Sequence, residues 1–227
     1  MPQQISNEKV LVIGETILDN YYYSEPLGTP SKENILSVNF LKKDEYIGGA
    51  LPVALNISNL SKDVTYVSFY KNKNFIKKIK SKKIKNIKFK FFYEEKYKEI
   101  KKNRFIDIYT KRKFFEFYEF NNQEFNNSQF FSFLKKNIQN YDKVIVCDFG
   151  HGMFNKSIIK ILEKKSKFLC VNVQTNSGNR GYNLYKKFNK ANLLVLDEPE
   201  IRLGLTNRYK TLEKIITSKE LKNYKNL

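Results

Sequence analysis

The sequence predicts an α/β fold built on a mostly parallel sheet flanked by helices. Short β-branched apolar runs at Val10–Ile13, Lys143–Cys147 and Phe168–Val173 read as strands buried on both faces. Segments with helical spacing alternate with such runs, which is the pattern of βαβ units. Polar residues gather just after several of the runs, where open α/β sheets bind ligands.

The elements follow in order. Val10–Ile13 is bounded by Gly14 and opens the sheet. Residues 17–46 are extended and turn-rich, with Pro26, Gly28 and Pro30, and the run Ile35–Leu41 can supply strand there. Leu51–Leu60 follows Gly48-Gly49 and places Leu51, Ala54, Leu55 and Leu60 on one helical face. Val64–Tyr70, Ile87–Tyr93, Phe105–Tyr109 and Phe114–Phe120 read as strands. Phe130–Ile138 is an amphipathic helix, and Lys156–Lys164 is another, with Ile158, Ile159, Ile161 and Leu162 inward. Leu193–Leu196 is a last strand ending at Asp197-Glu198, and Leu212–Ile216 begins a last helix.

The 227 residues suffice for one large α/β domain or two small ones. No internal repeat or linker divides them, so a single domain over residues 1–227 is expected. No run of 18 or more apolar residues suggests a membrane span. The start, Met1 to Lys9, lacks the apolar segment of a secretory signal. Cys147 and Cys170 lie inside apolar runs without metal-binding spacing and are expected as buried free thiols in the cytoplasm.

A net charge of +19 raises nucleic acid as a partner. The excess is concentrated, because residues 71–113 hold 16 Lys and 2 Arg against 4 acids, a net +14. Lys outnumbers Arg, and Asn, Ile, Phe and Tyr are abundant throughout. That profile fits a compositional bias and a solvated surface better than a phosphate-reading stripe, so nucleic acid is disfavoured. A polyanion-binding patch is the competing reading.

Several motifs occur in one order: Val10-Leu-Val-Ile-Gly-Glu-Thr-Ile-Leu-Asp19, Gly48-Gly-Ala-Leu-Pro-Val-Ala-Leu-Asn56, Lys101-Lys-Asn-Arg-Phe-Ile-Asp107, Asp142-Lys-Val-Ile-Val-Cys-Asp-Phe-Gly-His-Gly152, Val171 to Asn183, and Asp197-Glu-Pro-Glu-Ile-Arg202. In this order the chain resembles the ribokinase/PfkB carbohydrate kinase family, with the heptose-phosphate kinase-like (ADP-heptose synthase-like) branch the nearest match. Some members of that branch are fused to a nucleotidylyltransferase domain.

The resemblance implies a ribokinase-like, Rossmann-like sheet with a small β lid formed from residues of about 17–46 and 87–120. It implies transfer of the ATP γ-phosphate, with Mg2+, to a hydroxyl of a sugar or sugar phosphate. The substrate-binding residues it implies are Asp19, Gly48, Gly49, Asn56, Lys102, Arg104 and Asp148. A carboxylate such as Asp19 accepts bonds from sugar hydroxyls, the glycine pair lets backbone approach the sugar, and two cations suit a phosphate. Pro52 departs from the pattern where relatives place a sugar-binding Asn. Asn176, Asn179, Glu198 and Glu200 would face the nucleotide, with Glu200 near magnesium. His151 suits a turn or structural role, and a proton-donating one is the alternative.

No Gly-x-Gly-Asp sequence occurs in the chain, although the family carries its catalytic base and anion hole in such a loop. The resemblance therefore implies a kinase without its C-terminal part, completed by a missing segment or associated as a homodimer. The alternative is a non-catalytic sugar- or polyanion-binding remnant of the same fold.

Overall fold

Two sheets organise the chain. The computed structural model describes residues 6–81, 86–121 and 123–226, so part of the Lys-rich run, residues 82–85, and the start of the N-terminal segment, residues 1–5, lie outside the described residues. The larger sheet contains β1 (Ser6–Gly14), β4 (Ser61–Tyr70), β5 (Ile87–Tyr93), β8 (Lys143–Asp148), β9 (Leu169–Val173) and β10 (Leu193–Val195). Its order is β10-β9-β8-β1-β4-β5 and every pairing is parallel. The smaller sheet contains β2 (Thr16–Gly28), β3 (Ser37–Gly49), β6 (Ile100–Asp107) and β7 (Lys113–Glu119), in the order β3-β2-β6-β7. In it β2 runs antiparallel to β3 and parallel to β6.

Alternation along the central strands explains why the large sheet is covered on both sides. Leu11, Ile13, Val67, Phe69, Val144 and Val146 point to one face, where they pack with α3 (Ser128–Asn137) and α4 (Lys156–Lys165). Val10, Val12, Val64, Tyr66 and Cys147 point to the other, against α1 (Ala50–Ser58) and α2 (Lys73–Ser81). Phe69 sits amid Phe92, Phe125 and Phe130 in edge-on ring contacts. Cys147 and Cys170 are free thiols, and burial pushes the Cys170 thiol up to about 11. No helix among the described residues is long and apolar enough to cross a membrane.

The small sheet is built from the segments expected to form a lid, and its extent differs from the expectation in one respect. Ile87–Tyr93 was expected in the lid; it lies instead at the edge of the large sheet, paired in parallel with β4. The lid's second excursion starts at Ile100. Helix α2 lies within the Lys-rich run because Phe75 and Ile79, four residues apart, are both buried against the sheet.

Each lid excursion is pinched at its base. The first leaves after β1 and returns at α1, where the Ala50 N–H donates to the Glu15 carbonyl at 2.9 Å. The second is closed by the Asn121 side-chain amide donating to the Lys96 carbonyl at 2.7 Å.

Candidate functional site

The lid rises directly from the carboxyl end of β1 and meets the turn after β8, where Tyr118 touches His151. Its inner face is set by register: Asp19 stands beside Lys102 on β6 and Tyr46 on β3, Tyr21 beside Arg104, and Lys102 beside Tyr118 on β7. These side chains share one face of the pleat. Arg104 forms an ion pair with Asp19, and its Nε lies 2.9 Å from a Glu116 carboxylate oxygen. Burial works against the Arg104 charge, but the bond to Asp19 and the nearby acids hold its pKa above the ordinary value. Burial lowers Lys102, helped by Arg104 and opposed by Glu116, and its ammonium lies 5.0 Å from the centre of the Tyr118 ring.

Gly48 is where backbone meets this cluster. A Cβ there would collide with the Asp19 carboxylate, so only glycine leaves Asp19 its position. Gly49 has φ 71°, the left-handed region, and a Cβ there would strike the Glu15 carbonyl. It is the N-cap of α1 and carries no side-chain cap bond.

Beneath the lid, the turn after β8 is held from three directions. Glu15 is buried, and its carboxylate accepts from the Phe149 N–H at 3.0 Å and the His151 N–H at 3.2 Å. Burial, reinforced by the Asp148 carboxylate, pushes the Glu15 carboxyl up to about 7. Asp148, also buried, accepts from the Gly150 N–H at 2.9 Å and pairs with the Lys187 ammonium. His151 Nε2 lies 2.5 Å from the Tyr118 hydroxyl of the lid. Burial and the nearby Lys102 charge lower His151 to about 4, so the ring is neutral.

The sequence-derived candidates fall into three groups. Asp19, Gly48, Gly49, Lys102 and Arg104 come together in the cleft, and Asp148 lies at the end of β8 below it. Asn56 is exposed in the second half of α1, about 9 Å along the axis from the helix start, and does not join them. The third group sits on the loop after β9 and on α5 (Glu198–Leu205). Asn176 and Asn179 both donate side-chain amides to the Phe149 carbonyl, at 2.9 and 2.7 Å. Glu198 pairs with Arg202 on the next turn.

Both Glu200 oxygens are engaged, accepting from the Thr175 N–H at 2.9 Å and the Asp197 N–H at 3.0 Å in a capping box. Among the described residues no group of three His, Cys, Asp or Glu side chains converges; magnesium asks for only one or two carboxylates, with waters and phosphates completing its shell.

A cavity of about 420 Å³ opens beside Asp148, lined by Gly150, Gly178, Asn179, Asn183 and Lys187 among others. The sequence reading did not assign Glu15, Tyr118 or Lys187. Glu15 follows directly on the glycine that ends β1, which is the one local signal that could have drawn notice.

No family model matches the chain. It is 29% identical over 185 residues to the bifunctional protein HldE of Aliarcobacter butzleri, covering 78% of this chain and 38% of that protein. It is 24% identical over 217 residues to the bifunctional protein HldE of Campylobacter jejuni subsp. doylei, covering 96% of this chain and 45% of that one. The chain thus spans less than half the length of these relatives. Among solved structures, ribokinase from Giardia lamblia superposes with a TM-score of 0.66 at 12% identity, over 96% of this chain and 67% of that one. The fold is ribokinase-like, and the sequence similarity is to HldE proteins, as the ordered motifs imply.

Proposed function

We propose that this ribokinase-like chain, similar in sequence to HldE proteins, supplies the substrate-binding lid and sheet of a PfkB-type carbohydrate kinase. The acceptor is a hydroxyl of a sugar phosphate of the heptose-phosphate class. The observation that carries this reading is the Asp19–Arg104 pair set over Gly48 on the inner face of the lid. A carboxylate fixed by a guanidinium keeps its remaining lone pairs directed for hydroxyl donors. Lys102 and the free edge of Arg104 supply positive charge for a phosphate. The lid excludes water, which strengthens each of these contacts.

ATP, in this reading, supplies the phosphoryl group. The residues near its expected place are largely occupied in holding the chain: Asn176, Asn179 and Asn183 fix the turn after β8. They shape the floor of the cleft and leave Lys187 facing the cavity. No Gly-x-Gly-Asp loop occurs in these residues, so the reading places the catalytic base and anion hole outside them.

Calorimetric titration with a heptose 7-phosphate, and separately with the unphosphorylated heptose, tests the proposal. Saturable binding of the phosphate that is lost in Asp19→Ala supports it. Binding that is unchanged by Asp19→Ala, or absent for both sugars, rejects it.

A further inference from the structure

A continuous set of contacts runs from the body of the protein to the cations of the lid, and it begins at a side chain the sugar-binding reading does not use. Glu15 is buried at the end of β1, where its two carboxylate oxygens take the N–H groups of Phe149 and His151. The turn so gripped presents the His151 ring to the lid, and Nε2 meets the Tyr118 hydroxyl at 2.5 Å. Tyr118 stands beside Lys102 in the β6–β7 ladder, and the Lys102 ammonium lies over its ring. Lys102 in turn stands beside Asp19 in the β2–β6 ladder. Phe120 seals the end of β7, its ring 5.4 Å from His151 and packed on Gly178 so closely that a Cβ there would collide with it.

We propose that Glu15 is a positioning residue that sets the closed pose of the lid. By fixing the backbone of Phe149 and His151 it holds the imidazole where Tyr118 can latch onto it, and the latch places Lys102 and Asp19 over the sheet. The proposal rests on the reading that the cleft under the lid is the substrate site. The geometry is specific on three counts. The carboxylate is buried and engages two N–H groups of one turn. The imidazole is buried, with Nδ1 unpartnered, so Tyr118 is its one hydrogen-bond partner among the described residues. The hydroxyl it meets belongs to the other sheet.

His151 is the only histidine in the chain, which gives the test a single imidazole signal. The groups facing that ring are Tyr118 and Lys102 from the lid and Glu15 from the end of β1, with Asp148 on the same turn. Histidine nitrogen shifts would be followed by NMR across pH on the ligand-free protein. Amide hydrogen exchange of β7 would be followed in parallel, with β4 as the internal reference. In the unmodified chain the imidazole should stay neutral down to about pH 4.

Tyr118→Phe and Glu15→Gln should each shift the histidine signal and raise β7 exchange about tenfold, with β4 unchanged. The double variant should exceed neither single by much, because both act through one latch. An imidazole in the unmodified chain whose nitrogen shifts show no hydrogen bond to the Tyr118 phenol overturns the proposal without any variant. So does a Glu15→Gln protein whose histidine signal and β7 exchange match the parent. Additive effects, or exchange that rises equally in β4, would reduce Glu15 to a general stabiliser and also overturn it. None of these readouts uses a sugar, so a failed latch is distinguishable from a failed substrate assignment.

Discussion

Arg104 stands beside Tyr21 in the β-ladder, yet its guanidinium pairs with Asp19, two residues back along β2. The diagonal leaves the position directly beside Asp19 to Lys102, whose ammonium lies over the Tyr118 ring instead. Arg104→Gln removes the charge and the fork and frees the Asp19 carboxylate. We expect binding of a heptose 7-phosphate to weaken by about 10- to 100-fold, the worth of one charged hydrogen bond. Calorimetry checks it, with the melting temperature as the control for folding.

Gly48→Ala should separate binding from stability. The added methyl would displace the Asp19 carboxylate, which is partly exposed and can swing aside. Thermal stability should fall by about 1 kcal/mol, the typical size for a point substitution. Sugar-phosphate binding should fall as far as in Asp19→Ala. Binding equal to the parent's would mean that Asp19 is not the contact.

Lys187→Met leaves the buried Asp148 carboxylate without its counter-charge. Removing one partner of a buried pair costs about 3 kcal/mol, at the lower end of the usual range because Lys187 is itself partly exposed. Urea unfolding of the variant reads this directly. Lys187→Met with Asp148→Asn should recover part of the loss.

The pH dependence of stability carries two opposed contributions. Glu15 is raised from 4.5 to about 7, so the folded chain holds its proton where the unfolded chain has released it. Its contribution to stability therefore falls as pH rises through that window. His151 is lowered from 6.5 to about 4, so its contribution rises with pH between those values. The two slopes cancel between about pH 4.5 and 6.5, each being at most about 1.4 kcal/mol per pH unit. His151→Gln should expose the Glu15 slope, with a urea midpoint that falls from pH 4.5 to 7. A flat profile in the variant would show that Glu15 titrates alike in the folded and unfolded chains.

Phe69→Ala should cost about 3–5 kcal/mol in urea unfolding. The ring is buried and makes edge-on contacts with Phe92, Phe125 and Phe130, joining β4, β5 and α3. A loss below about 1.5 kcal/mol would mean that this face repacks around the gap.

The parts of the fold legible in the sequence were those with a local signature. Val10–Ile13 and Lys143–Cys147 are β-branched or apolar at nearly every position because both faces of the sheet are covered, and they are adjacent central strands. Helix α2 was hidden because Lys surrounds Phe75 and Ile79 and masks their spacing. The strand Ile87–Tyr93 alternates as a lid strand would, but its partner is fixed by parallel pairing to β4, which no local pattern announces. At the site, Asp19, Gly48 and Arg104 were nameable one by one. Their ion pair was not, because it depends on the register of strands 85 residues apart. Tyr118 and His151 were unreadable as partners for the same reason.

Both lid excursions leave the body and re-enter it at neighbouring points, with the Ala50 to Glu15 and Asn121 to Lys96 hydrogen bonds at their bases. Such closures make the lid a pair of cassettes. Ile17, Leu18 and Ile100 near their bases are buried in the two cores, so only sequence beyond those anchors can be exchanged or lengthened without disturbing the layers beneath.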